Sequence, residues 1–227
     1  MDYYYVSYGL IIIAFFITLI ANLFVTMSFK KYSKVANKKN ITGAEVARKI
    51  LEANGLNDVY VVQTKGNLTD HYDPTRRVIR LSEKVYDIES VSAVAIAAHE
   101  CGHAIQDKES YGPMKIRSAI IPIVNISSYA GYIVLIIGII TQSFNLIWLG
   151  IILEMAILLF QLITLPVEIN ASRRAMKKIE EYNLLYDDEI PKAKTVLKAA
   201  ALTYVAGVLS AMLEILRLVI LYGSKRK

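Results

Sequence analysis

Two long uncharged stretches constrain this chain more than any other feature. Tyr3 to Phe29 carries no charged residue and includes Leu10-Ile11-Ile12-Ile13-Ala14-Phe15-Phe16. As a helix it is long enough to cross a hydrocarbon core of about 30 Å. Between Arg117 and Glu168 the only charge is Glu154. That stretch is too long for one span, and Thr141-Gln142-Ser143-Phe144-Asn145 divides it into a hairpin of about 120–140 and about 146–165. A fourth apolar run, Ala199 to Gly223, holds Glu214 and Arg217, which share a helix face and should look toward protein rather than lipid. With 55% hydrophobic side chains, against about 45–50% in soluble domains, the chain belongs in a bilayer. The expectation is a mainly α membrane protein of three to four transmembrane helices.

Charge placement orients it. Lys30, Lys31, Lys34, Lys38 and Lys39 follow the first span, Arg117 precedes the hairpin, and Arg173, Arg174, Lys177 and Lys178 follow it. By the positive-inside rule all these flanks are cytoplasmic and the N-terminus is outside. A spanning fourth run would leave the basic tail Ser224-Lys225-Arg226-Lys227 outside, against that rule. The net charge of +6 gathers at span ends instead of interleaving with aromatics, which argues against nucleic-acid binding. The first residues, Met1-Asp2-Tyr3, lack the basic start of a signal peptide, so the first span reads as a retained anchor.

The expected organisation is an N-terminal anchor (1–29), a cytoplasmic part (30–117), a transmembrane hairpin (118–166), a cytoplasmic helix (167–198) and the fourth apolar helix with its basic tail (199–227). Within the cytoplasmic part, Thr42-Gly43-Ala44-Glu45 opens an amphipathic helix ending near Asn54-Gly55. Val59 to Val62 and Arg77 to Leu81 read as two strands separated by the turn-rich Gly66 to Pro74 stretch. Ser82 to Tyr86 leads into a long helix through Gln106.

That helix carries His99-Glu100-Cys101-Gly102-His103. Histidines four apart project from one helix face and can reach one zinc ion, while Glu100 is placed to take a proton from the activated water. Gly102 leaves room for close packing beneath the site. Cys101 is the only cysteine, so neither an internal disulfide nor a Cys-rich metal site can form. A catalytic zinc needs a third protein ligand. The candidate is Glu168, in Leu165-Pro166-Val167-Glu168, although a carboxylate there could equally be an interfacial group ending a span.

His99-Glu100-Cys101-Gly102-His103-Ala104-Ile105-Gln106, Leu165-Pro166-Val167-Glu168 and Ala171-Ser172-Arg173-Arg174-Ala175 resemble the bacterial membrane family of neutral zinc metallopeptidases called YugP-like. Leu68 to Pro74, Arg80-Leu81-Ser82 and Ala201 to Val205 extend the resemblance over nearly the whole chain. It implies a Glu-zincin arrangement, with His99, His103 and Glu168 holding Zn2+ and Glu100 as general base, in a small zincin-like α+β cytoplasmic part. It also implies a distant kinship with HtpX-type membrane proteases, where the ligand Glu is followed by an Asp supporting a ligand histidine. Here that place is Ser172, which brings no charge.

His71, between Asp70 and Asp73, is read either as a group that binds the peptide or its developing oxyanion, or as a turn histidine hydrogen-bonded to Asp73. Cys101 reads as a packed thiol, Arg173 and Arg174 as a span flank, and Glu154 as a partner for another bundle residue or Arg217. The whole describes a multi-pass cell-membrane zinc endopeptidase acting on protein or peptide segments at the cytoplasmic face. The rival is a zinc-holding scaffold or peptide-binding adaptor, which would have no use for Glu100.

Overall fold

The structure, a computed structural model, describes residues 2–223. The basic tail expected at Ser224 to Lys227 lies outside the described residues. Among those described, four helices are long and apolar enough to cross a bilayer. They are α1 (Asp2–Tyr32), α4 (Gly112–Ile140), α5 (Phe144–Glu181) and α6 (Ile190–Tyr222), with α2 (Gly43–Ala53) and α3 (Val91–Lys108) between the first two. The protein is thus a multi-pass, mainly α membrane protein with a small α+β part.

The chain divides into two compact units. One comprises Met1–Asn22, Lys115–Leu165 and Thr203–Lys227; the other comprises Leu23–Met114 and Pro166–Leu202.

In the first unit, α4 and α5 turn at 141–143, inside the expected break. Their backbones approach closely: a Cβ on Gly138 would meet the Ile147 nitrogen at 2.7 Å, and one on Gly150 the Leu135 Cβ at 2.8 Å. Small residues at helix contacts are how apolar helices gain packing where lipid offers no hydrophobic driving force. The Thr18 hydroxyl lies 2.8 Å from that of Ser210, joining α1 to α6. Arg217 Nε donates to Glu214 Oε2 at 2.8 Å, so the salt bridge of Arg217 is with its own helix neighbour and not with Glu154. Tyr5, Phe15, Ile20, Ile126 and Tyr129 stay exposed, as lipid-facing side chains do.

The second unit has an apolar core. Thr42 caps α2 reciprocally: its hydroxyl accepts the Glu45 N–H at 3.2 Å, while Glu45 Oε2 accepts the Thr42 N–H at 2.8 Å. The buried face of α2, Val46, Ile50 and Leu51, packs in one cluster with Ile79, Leu81 and Val94. Burying a side chain such as Ile50, which is fully enclosed, contributes about 1.5–3 kcal/mol. Ser90 caps α3, accepting the Ala93 N–H at 3.1 Å. The run Ala93, Val94, Ala95, Ala97, Ala98 is entirely buried, and side chains this small let other elements pack close to the helix.

The sheet has three strands: β1 (Tyr60–Thr64), β2 (His71–Asp73) and β3 (Val78–Ser82), in the order β1-β3-β2. β1 runs parallel to β3 with Val62 opposite Arg80, and β2 antiparallel to it with Tyr72 opposite Ile79. β2 falls inside the stretch Gly66 to Pro74 read as turn-rich, where no strand is expected. It is pinned by Asp70, whose carboxylate accepts the Ser82 N–H at 2.7 Å and the Ser82 hydroxyl at 3.0 Å.

The expected boundary between the hairpin and the cytoplasmic helix, at 166/167, falls inside α5, which runs through Pro166 as one helix. α6 begins at Ile190 rather than near 199.

Candidate metal centre

His99 and His103, one turn apart on α3, hold their rings 4.8 Å apart and nearly perpendicular, at 87°. Glu168 reaches them from α5, with Oε2 3.3 Å from His99 Nε2 and 3.4 Å from His103 Nε2. One donor atom from each of the three lies within 4.8 Å of the others. Four donors set tetrahedrally at about 2.0–2.1 Å from zinc are about 3.3–3.4 Å apart. Both nitrogen-to-oxygen separations match that edge. Two imidazoles and one carboxylate also leave a fourth position for water, the pattern of a catalytic zinc site.

Burial opposes ionisation of Glu168, but hydrogen bonds from His103 and His99, with their charges, hold its carboxyl well below the usual range. The group is therefore an anion, as a ligand must be. Glu100 is different. Burial pushes its pKa up to about 7; His99 opposes the rise, the Glu168 and Asp70 charges add to it, and a hydrogen bond from the Tyr72 backbone N–H offsets part of it. The two carboxylates thus differ in proton affinity because two histidines stabilise the ionised Glu168, whereas burial dominates at Glu100.

The far nitrogens of both histidines are occupied. His99 Nδ1 lies 3.2 Å from the Ser172 hydroxyl, so the residue standing where HtpX-type proteases carry an Asp does meet a histidine of the cluster. His103 Nδ1 lies 3.0 Å from Gln106 Oε1. Sequence reasoning passed over Gln106 although its spacing, three residues after His103, places it on the same helix face.

His71 is exposed at the start of β2 and stands outside the three-residue cluster. Its Nδ1 is 2.8 Å from the Thr69 carbonyl. Asp73 instead accepts the backbone N–H groups of Thr75 and Arg76 at 3.0 and 3.1 Å, so the expected His71–Asp73 bond is replaced by a turn cap. The residue after His71 is Tyr72, whose backbone helps hold down the Glu100 pKa. Its hydroxyl donates to Asp107 Oδ2 at 2.9 Å, fastening β2 to α3.

Cys101 is fully buried, its sulfur 3.6 Å from the Ala47 carbonyl of α2, and burial lifts its thiol pKa well above the ordinary value. Arg174 does more than flank a span: it contacts Glu109 at 2.7 Å and Asn170 Oδ1 at 2.7 Å.

Residues 7–223 match the profile of a family described as "Putative neutral zinc metallopeptidase". A protein of Bacillus subtilis (strain 168), described as "Putative membrane protease YugP", is 50% identical over 202 residues, which is 89% of this chain and 90% of its own length. No solved structure matches the chain.

Proposed function

The chain belongs to the neutral zinc metallopeptidase family, and from that premise we propose that it is an endopeptidase whose zinc is held by His99, His103 and Glu168 and whose general base is Glu100. The observation that carries this reading is the approach of Glu168 Oε2 to both Nε2 atoms, at 3.3 and 3.4 Å. Zinc, when bound, supplies a Lewis acid that activates water and polarises the scissile carbonyl. His99 and His103 would hold it through Nε2, and Glu168 through its ionised carboxylate.

Glu100 takes a proton from the attacking water onto its carboxylate and returns it to the leaving amine. A raised pKa suits both transfers. A carboxylate of pKa about 2 would be a poor acceptor, whereas one near 7 both takes and gives the proton at neutral pH.

Substrates are protein or peptide segments at the cytoplasmic face or emerging from the bilayer. Support comes from Lys30, Lys31 and Lys34 after the first span, and from Arg173, Lys177 and Lys178 toward the end of α5, the cytoplasmic signature of the positive-inside rule. His71, exposed on the strand whose next residue meets Glu100, is the candidate for holding the substrate carbonyl.

Purified in detergent, the protein should carry about one zinc per chain and cleave an unstructured polypeptide. Stripping the metal with a chelator should abolish cleavage, and returning zinc should restore it. A chain that binds no zinc would defeat the ligand assignment, and a zinc-loaded chain inert toward a broad substrate panel would favour the scaffold.

A further inference from the structure

The polar chain behind His103 ends in groups whose hydrogen-bonding roles are not negotiable. A peptide carbonyl only accepts, and a guanidinium only donates. Gln106, which has no exposed surface, sets its Nε2 2.8 Å from the Val167 carbonyl and 3.0 Å from Asn170 Oδ1. That same Asn170 atom receives Arg174 Nε at 2.7 Å, so it is an acceptor as well. Two acceptors therefore face one end of the Gln106 amide, and that end must be the NH2 group. The other end, Oε1, then faces His103 Nδ1 at 3.0 Å. With an oxygen acceptor opposite, Nδ1 has to donate. Neutral His103 consequently carries its proton on Nδ1 and its lone pair on Nε2, the atom 3.4 Å from Glu168 Oε2.

We propose that Gln106 is a positioning residue with two roles. It selects the ligand tautomer of His103, and through Val167 and Asn170 it fixes the offset between α3 and the segment of α5 that carries Glu168. Val167 is the residue immediately before Glu168, so a shift of that contact shifts the carboxylate. Arg174 closes the far end of the relay and is itself held by Glu109 at 2.7 Å. His99 has no equivalent device. A hydroxyl both donates and accepts, so Ser172, at 3.2 Å from Nδ1, orients the His99 ring without dictating its tautomer. One histidine is fixed by the amide relay and the other stays adjustable.

This inference rests on His103 and Glu168 being zinc ligands, so zinc content of wild type and His103→Ala is measured alongside. Wild type without zinc would sink that ligand reading. Wild type with zinc, lost in His103→Ala, isolates the Gln106 question. Zinc affinity of the full-length detergent-purified protein is then determined by chelator competition for Gln106→Met and Gln106→Glu. The Met variant keeps the volume and removes the relay, and should bind zinc about 10–100-fold more weakly. The Glu variant keeps an oxygen against Nδ1 but cannot donate to Val167 and Asn170, so it should also bind zinc more weakly than wild type. The zinc-loaded wild type, with 15N-labelled histidine, gives an NMR readout that needs no variant to fold. His103 should show a slowly exchanging proton on Nδ1, better protected than any on His99. A folded Gln106→Met with wild-type zinc affinity, or a His103 proton on Nε2, would overturn the proposal.

Discussion

A Cβ placed on Gly102 would lie 2.6 Å from the carbonyl oxygen of Ala171. Gly102 sits between the histidines of α3, and Ala171 between Glu168 and Ser172 of α5, so the two backbones touch at the level of the site. A backbone oxygen cannot swing aside as a side chain can. Gly102→Ala should therefore push the segments apart, lowering stability by about 1–3 kcal/mol and weakening zinc binding as Glu168 draws away. Denaturant unfolding and zinc titration of the variant check both effects.

Turnover should fall as the medium is acidified, because a protonated Glu100 cannot accept the proton of water. Burial is the main cause of its pKa of about 7, and the positive charge of bound zinc favours the carboxylate and brings the acid limb lower. The Asp70 charge acts in the opposite direction. Asp70→Asn, which can keep its bond from the Ser82 backbone, should move the acid limb of kcat/KM toward lower pH. A limb that stays or moves upward would contradict the electrostatic account.

Cys101 is buried with its thiol pKa raised, so thiolate chemistry at neutral pH is suppressed. The folded protein should resist a maleimide that labels it once unfolded. Cys101→Ala should retain zinc and turnover, at a cost of about 1 kcal/mol for the small void. Rapid labelling of the folded chain would show that the helix opens.

His71 can be separated from the metal centre by experiment. His71→Ala should keep its zinc, since the residue lies outside the His99–His103–Glu168 cluster, and should lose turnover if it holds the substrate carbonyl, by about 10–100-fold. Full turnover would return His71 to the role of a surface group bonded to Thr69.

Much of this is legible in the sequence, for physical reasons that differ from place to place. The spans announce themselves by length without charge, and the Thr42–Glu45 capping pattern marks α2 because both halves of the signal are local. The His99–His103 spacing is likewise a property of one helix. β2 stays hidden because three residues carry no periodicity, and its existence depends on β3 and on the Asp70–Ser82 bonds. α5 runs through Pro166 as one helix, since apolar helices tolerate proline where neighbours satisfy the freed carbonyl, so the end of the third apolar run does not mark a helix end. Gln106 lies three residues past the second histidine, yet its partners Val167 and Asn170 are about sixty residues away and only folding brings them together.

The most direct test compares wild type with Glu100→Gln, measuring bound zinc and cleavage of an unstructured polypeptide side by side. Both proteins should hold about one zinc per chain, and the variant should lose cleavage by about 100-fold or more. Equal cleavage by the two would remove Glu100 as the general base, and loss of zinc from Glu100→Gln would mean that the carboxylate belongs to the metal instead.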